Sequence, residues 1–143
     1  MMHTARHTAT VRVRYADTDK MKIVYNGNYF VYFEIGRTEL LRAYGLPYSE
    51  LERQGYMLPV LEAYAKYKTP AVYDDVLSIH TSYAVERKPV IRLEYVITRA
   101  DAAGSSVEIA AGHTLHSFVN SATMRPVRPP QMFFDAVSTL GEP

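Results

Sequence analysis

One helical stripe interrupts a chain that otherwise alternates, and this change of period constrains the fold more than any other feature. From about Gly27 to Tyr44, residues Tyr29, Phe33, Gly36, Leu40 and Tyr44 recur at steps of four, three, four and four, which predicts an amphipathic helix. Asn26 is the expected N-cap and Gly45 the residue just past the end. Pro47 to Gln54 reads as a shorter helix stopped by Gly55. Gly36 sits in the stripe between bulky neighbours. A glycine there costs about 1 kcal/mol against alanine, so close approach of another backbone is the expected compensation.

Either side of the stripe the period is two. Residues 10 to 15 set Val11, Val13 and Tyr15 against Arg12 and Arg14, a strand with one wet face, while His3 and His7 precede it in a segment expected to fray. After Gly55 four stretches follow, 57 to 67, 76 to 85, 90 to 99 and 106 to 119. Leu77, Ile79, Thr81, Tyr83 and Val85 share one face of the second; Ile91, Leu93, Tyr95 and Ile97 share one of the third. In the fourth, Val107, Ile109, Ala111, His113, Leu115 and Val119 are expected to point the same way. Turn formers in TPAVYDD, ERKP and ADAAG join them, which predicts an antiparallel meander. Pro126, Pro129 and Pro130 keep the tail out of a central strand, and QMFFDAV is expected to form a last helical turn. With 143 residues, 48% of them hydrophobic, the chain has material for one domain over 1–143. The fold class is α+β: a five-stranded antiparallel sheet that curls around a long central helix.

Charge and composition narrow the function classes. Sixteen Lys and Arg against fifteen Asp and Glu leave a net charge of +1, so no broad field exists to hold nucleic acid or an anionic membrane. Cysteine is absent, which removes disulfides, thiolate metal sites and a cysteine nucleophile. Neither a signal-like apolar segment nor a run of membrane-spanning length is found, so a soluble, cytoplasmic protein is expected.

The densest polar cluster lies between the first strand and the helix. A helix start presents unpaired N–H groups that can hold an anion or a developing oxyanion. Asp17 and Asp19 stand two apart just before it; on an extended chain both carboxylates would face one point. Asp19 then reads as a nucleophile or general base, and the alternative is that both aspartates are solvated turn residues. The chain has no Gly-x-Ser-x-Gly elbow, so acyl chemistry would have to run on a carboxylate. His113 and His116 are three apart and on a strand point to opposite faces, and His80 lies on another strand, so no metal site is expected. Arg87, Lys88 and Pro89 form a basic turn that can grip a phosphate or simply cap an edge. The twelve tyrosines fall mostly on apolar faces and read as core instead of base-stacking platforms.

The block YADTDKMKIVYNGNYFVYFEIGRTELLRAYG, residues 15 to 45, resembles the signature of hotdog-fold thioesterases of the 4-hydroxybenzoyl-CoA thioesterase and YbgC-like type, and the likeness extends over about residues 8 to 130. That resemblance implies a hotdog fold and hydrolysis of an acyl-CoA thioester to free acid and coenzyme A. Asp19 matches the catalytic carboxylate; Asn26, with Gly27 beside it, matches the position whose backbone N–H polarises the thioester carbonyl. Asn28 and Tyr29 complete the helix-start motif, Tyr25 lines the acyl pocket, and Arg87 and Lys88 match the turn that contacts the nucleotide end of coenzyme A. The family's dimers, with active sites at the subunit interface and often paired into tetramers, imply a homodimer or homotetramer. The resemblance implies no cofactor, since coenzyme A is part of the substrate. Many relatives carry histidine where this chain has Asn26 and glycine where it has Lys22. A backbone donor survives the first change. Two rival readings are a non-catalytic acyl-CoA-binding protein on the same fold and a thioesterase for acyl carrier protein.

Overall fold

The computed structural model describes residues 3–139, leaving the first two and last four residues of the expected domain outside it. Along the chain come β1 (Thr4–Arg12), a 3-10 turn (Tyr15–Asp17), α1 (Asn28–Ala43), α2 (Tyr48–Arg53), β2 (Tyr56–Met57), β3 (Val60–Tyr67), β4 (Val76–Ala84), β5 (Val90–Ala100), β6 (Ser106–Asn120), β7 (Pro126–Val127) and α3 (Gln131–Val137). Five antiparallel strands in the order β1-β4-β5-β6-β3 form the sheet, and the two-residue β2 and β7 pair with the end of β6. This is the hotdog arrangement, with α1 laid across the sheet.

The helix stripe is as expected: Tyr29, Phe33, Gly36, Leu40 and Tyr44 are all buried. At Gly36 the close approach comes from side chains, not a backbone. A Cβ there would lie 2.3 Å from Thr81 Oγ1 and 2.7 Å from Ile79 Cγ2, so the missing side chain is what lets α1 sit on β4. Phe33 stacks on Tyr95 of β5 with ring centroids 4.3 Å apart. Its ring also occupies the space above Gly112 of β6, where a Cβ would come within 2.9 Å of it.

Four expectations are corrected. The first strand begins at Thr4 and ends at Arg12, so His7 lies within the sheet, and Tyr15 belongs to the 3-10 turn with 79% of its surface exposed. Small inward residues, Ala5 and Ala9, hid that strand from a pattern search. The four later strands are not one meander, because β3 pairs with β6 and only β4, β5 and β6 run as neighbours in sequence. The 57 to 67 stretch is broken at Leu58 and Pro59 into β2 and β3. Finally, β6 changes face part-way: Ile97 pairs with Ala110 but Thr98 with Glu108, leaving Ile109 as a bulge. Beyond the bulge Ala110, Thr114, His116 and Phe118 are buried, while Ala111, His113 and Leu115 turn to the outer face; Val119, at the end of the strand, is buried as well. Among the described residues no helix is long and apolar enough to cross a membrane.

Candidate active site

The loop leaving β1 is organised around Asp17. Its carboxylate is 4% exposed and accepts hydrogen bonds from the Arg14 backbone N–H (3.0 Å), from Arg14 Nε and Nη2 (3.1 and 2.8 Å) and from the Tyr32 hydroxyl (3.0 Å). Burial pushes this carboxyl's pKa up, but the Arg14 and Tyr32 bonds outweigh it and hold the group below its ordinary value. The phenol of Tyr32, buried and facing that carboxylate, is pushed well above its usual range. Asp17 is therefore neither a solvated turn residue nor a partner of Asp19 at one point.

Asp19 sits at the tip of a small hairpin that Asp17 anchors. Thr18 bridges Val24 in antiparallel fashion, the Asp19 N–H donates to Ile23 C=O (2.9 Å), and the Lys22 N–H donates back to Asp19 C=O (2.9 Å). One carboxylate oxygen accepts from the Met21 N–H at 2.8 Å. Lys22 takes φ +66°, the left-handed region that costs a side-chain-bearing residue about 1–2 kcal/mol, and this explains why glycine suits that position. Lys22 is exposed and does not line the cleft below.

The hairpin runs into the helix. Gly27, not Asn26, is the N-cap, with helical φ and ψ of −65° and −24° and no side-chain cap. Asn26 is exposed, and its backbone carbonyl accepts from the Tyr67 hydroxyl at 3.0 Å. Among the described residues neither the Asn26 nor the Gly27 N–H donates to a protein acceptor. The Tyr25 ring lies over Gly27, where a Cβ would meet it at 2.9 Å.

Asp19, Tyr25, Asn26 and Tyr29 converge on one cleft of about 470 Å³, closed on the far side by Tyr67 and Lys68 at the end of β3. Tyr29 and Tyr67 rings stand 5.3 Å apart, and burial pushes the Tyr29 phenol up to about 12, so it stays protonated at neutral pH. A loop carboxylate thus faces a mostly apolar cavity beside free N–H groups at a helix start, the parts needed to attack a carbonyl and hold the resulting oxyanion. Among the described residues no group of three or more His, Asp or Glu is placed to hold a metal.

Arg87 and Lys88 are not part of this cleft. Val13 N–H meets Asp75 C=O at the site end of β4, and the basic turn lies past the other end, nine residues or roughly 30 Å away. There Arg87 lies over the Phe134 ring at 4.6 Å and donates to Gln131, Lys88 pairs with Glu86 at 3.3 Å, and Arg128 joins them around a second cleft of about 280 Å³. Sequence reasoning missed Arg128, Tyr67, Lys68 and the role of Asp17. The cation in the proline-rich tail was the only local signal for Arg128; none existed for the others.

A profile of the thioesterase-like superfamily matches residues 13–137. The chain belongs to that family. A relative from Aquifex aeolicus (strain VF5) that carries an esterase name is 36% identical over 110 residues, 77% of this chain and 82% of its own length. The acyl-CoA thioesterase YbgC of Helicobacter pylori (strain J99) is 31% identical over 134 residues, 90% of this chain and 98% of that protein. In fold the chain is similar to the crystallised 4-hydroxybenzoyl CoA thioesterase in complex with 4-hydroxybenzoyl CoA, at TM-score 0.86 and 20% identity, over 94% of this chain and 99% of that one. The family match covers the hairpin, the helix start and the cleft wall together.

Proposed function

We propose that the protein is an acyl-CoA thioesterase in which Asp19 is the catalytic carboxylate and the N–H groups of Asn26 and Gly27 form the oxyanion hole. One observation carries the reading: Asp19 lines the same cleft as Asn26 and Tyr29, which flank the uncapped start of α1. The thioester carbonyl sits against the helix start, and water adds to the acyl carbon as the C–S bond breaks, releasing free acid and coenzyme A. Asp19 acts either by attacking the carbonyl or by taking a proton from water; both need an ionised carboxylate. Tyr25 and Tyr29 flank the acyl group.

The assembly is a dimer. Strand β3 is an eight-residue sheet edge with Val60, Leu61, Tyr64 and Tyr67 exposed, a surface that a second copy covers by pairing strand to strand. Pairs of such dimers make the tetramer. Arg87 and Lys88 bind the phosphates of coenzyme A entering a neighbouring subunit's cleft, which accounts for their distance from Asp19. The protein acts as one domain in the cytoplasm and needs no cofactor.

The test is steady-state release of free thiol from a panel of aromatic and aliphatic acyl-CoA thioesters, with wild type and Asp19→Asn side by side. Turnover by wild type and a loss of at least about 100-fold in the variant is the expected result. A folded Asp19→Asn that keeps a near-normal rate removes the assigned role.

A further inference from the structure

We propose that Asp17 is a positioning residue that sets the distance between the Asp19 carboxylate and the helix-start N–H groups, an inference that rests on the function proposed above. A surface turn needs no buried carboxylate. Placing one under the loop costs several kcal/mol unless it is fully bonded, and the four donors on Asp17 meet that requirement. Its partners are what give the bonding a function.

One of these bonds and one to the Asp17 backbone reach α1, and they reach it one turn apart. Tyr32 donates to Asp17 Oδ2, while Asn28 Nδ2 donates to the Asp17 backbone carbonyl at 2.8 Å. Residues four apart share a helix face, so contacts at both fix the helix in rotation about its axis and in translation along it. The same carbonyl accepts from Tyr25 N–H at 2.9 Å, which closes the base of the hairpin carrying Asp19 at its tip. Asp17 is thus bonded, through its backbone and its side chain, both to the hairpin that presents the carboxylate and to the helix that presents the oxyanion donors. Arg14 supplies the counter-charge from the solvent side, leaving the buried oxygens to hold the geometry.

The consequence is kinetic. A displacement of about 1 Å at a reacting centre costs on the order of 100-fold, so loosening the clamp lowers kcat while leaving the substrate-binding surfaces in place. Asp17→Ala is expected to lower kcat by about 10- to 100-fold with KM within about twofold. Asp17→Asn keeps an oxygen for Tyr32 and the Arg14 N–H and is expected to recover most of that loss. Tyr32→Phe, which removes one tie, falls between them. Hydrogen exchange gives an activity-independent readout: the Tyr25 amide exchanges faster in Asp17→Ala and Tyr32→Phe, while the amides of β4 and β5 keep their wild-type rates.

Unchanged kcat per folded molecule in Tyr32→Phe and Asp17→Ala overturns the proposal, as does a uniform rise in exchange across the sheet, which marks mere destabilisation. Should Asp17→Ala fail to fold, Tyr32→Phe decides. Wild type and Asp19→Asn run alongside. Absence of turnover in folded wild type defeats the thioesterase reading, whereas the Tyr25 amide still shows whether the clamp exists.

Discussion

Acid should unfold this protein in two separate pH windows, and the first belongs to His116. Its ring is fully buried on β6, with Nδ1 3.2 Å from Leu58 C=O and Nε2 2.8 Å from Thr114 Oγ1. A carbonyl only accepts, so Nδ1 carries the proton, Nε2 accepts from Thr114, and Thr114 in turn accepts from the Tyr95 hydroxyl at 2.6 Å. Burial, reinforced by the nearby Arg37 charge and partly opposed by the Leu58 and Pro59 carbonyls, lowers the pKa from 6.5 to about 4. Below pH 6.5 the unfolded chain binds a proton that the folded chain refuses. Stability is therefore complete above 6.5 and falls by about 1.4 kcal/mol per pH unit down to about 4, a total of about 3 kcal/mol. The second window opens lower. Asp17, held below its ordinary value of 3.8, supports the fold above that pH and loses its contribution as the pH falls further. Urea denaturation at pH 7, 6, 5 and 4, at fixed protein concentration, measures the first window. His116→Gln should be less stable at pH 7 yet lack this slope, so the gap between wild type and variant should shrink by about 3 kcal/mol toward pH 4. Parallel slopes for the two proteins would refute the reasoning.

Three further outcomes follow from packing and charge. Gly36→Ala gains about 1 kcal/mol of helix propensity but forces Thr81 and Ile79 apart, and overpacking costs about 1–3 kcal/mol, so a lower urea midpoint is expected and an unchanged one would disprove the close fit. Lys22→Gly relieves the left-handed backbone and should be at least as stable as wild type, by up to about 1 kcal/mol, whereas Lys22→Ala should show no such gain in thermal denaturation. Arg87→Ala with Lys88→Ala should raise KM for acyl-CoA about tenfold and leave a short pantetheine thioester nearly unaffected. Equal effects on the two substrates take the turn out of nucleotide binding.

The parts of the fold legible in the sequence are those set by neighbours in the chain. The stripe from Tyr29 to Tyr44, the glycine stops at Gly45 and Gly55, and the alternation of β4 and β5 all follow from the side-chain period, because a helix or strand turns its own residues by a constant angle. That a polar loop carrying Asp19 runs into a helix start was legible for a similar reason, the two being a few residues apart, whereas the hairpin within that loop and the N-cap at Gly27 were not. What tertiary structure decided is everything that depends on a distant partner. Alternation says that β3 is a strand but not that it pairs with β6, since the period is the same beside any neighbour. The bulge at Ile109 exchanges the two faces of β6, burying His116 and turning His113 to the outer face, and an extra residue is visible only against the strand it faces. Asp17 and Asp19 are identical in type and two positions apart, yet one is enclosed by Tyr32, a buried tyrosine of α1, and the other opens onto the cleft. Composition cannot separate them, because the difference is made by which side chains the helix brings down upon the loop.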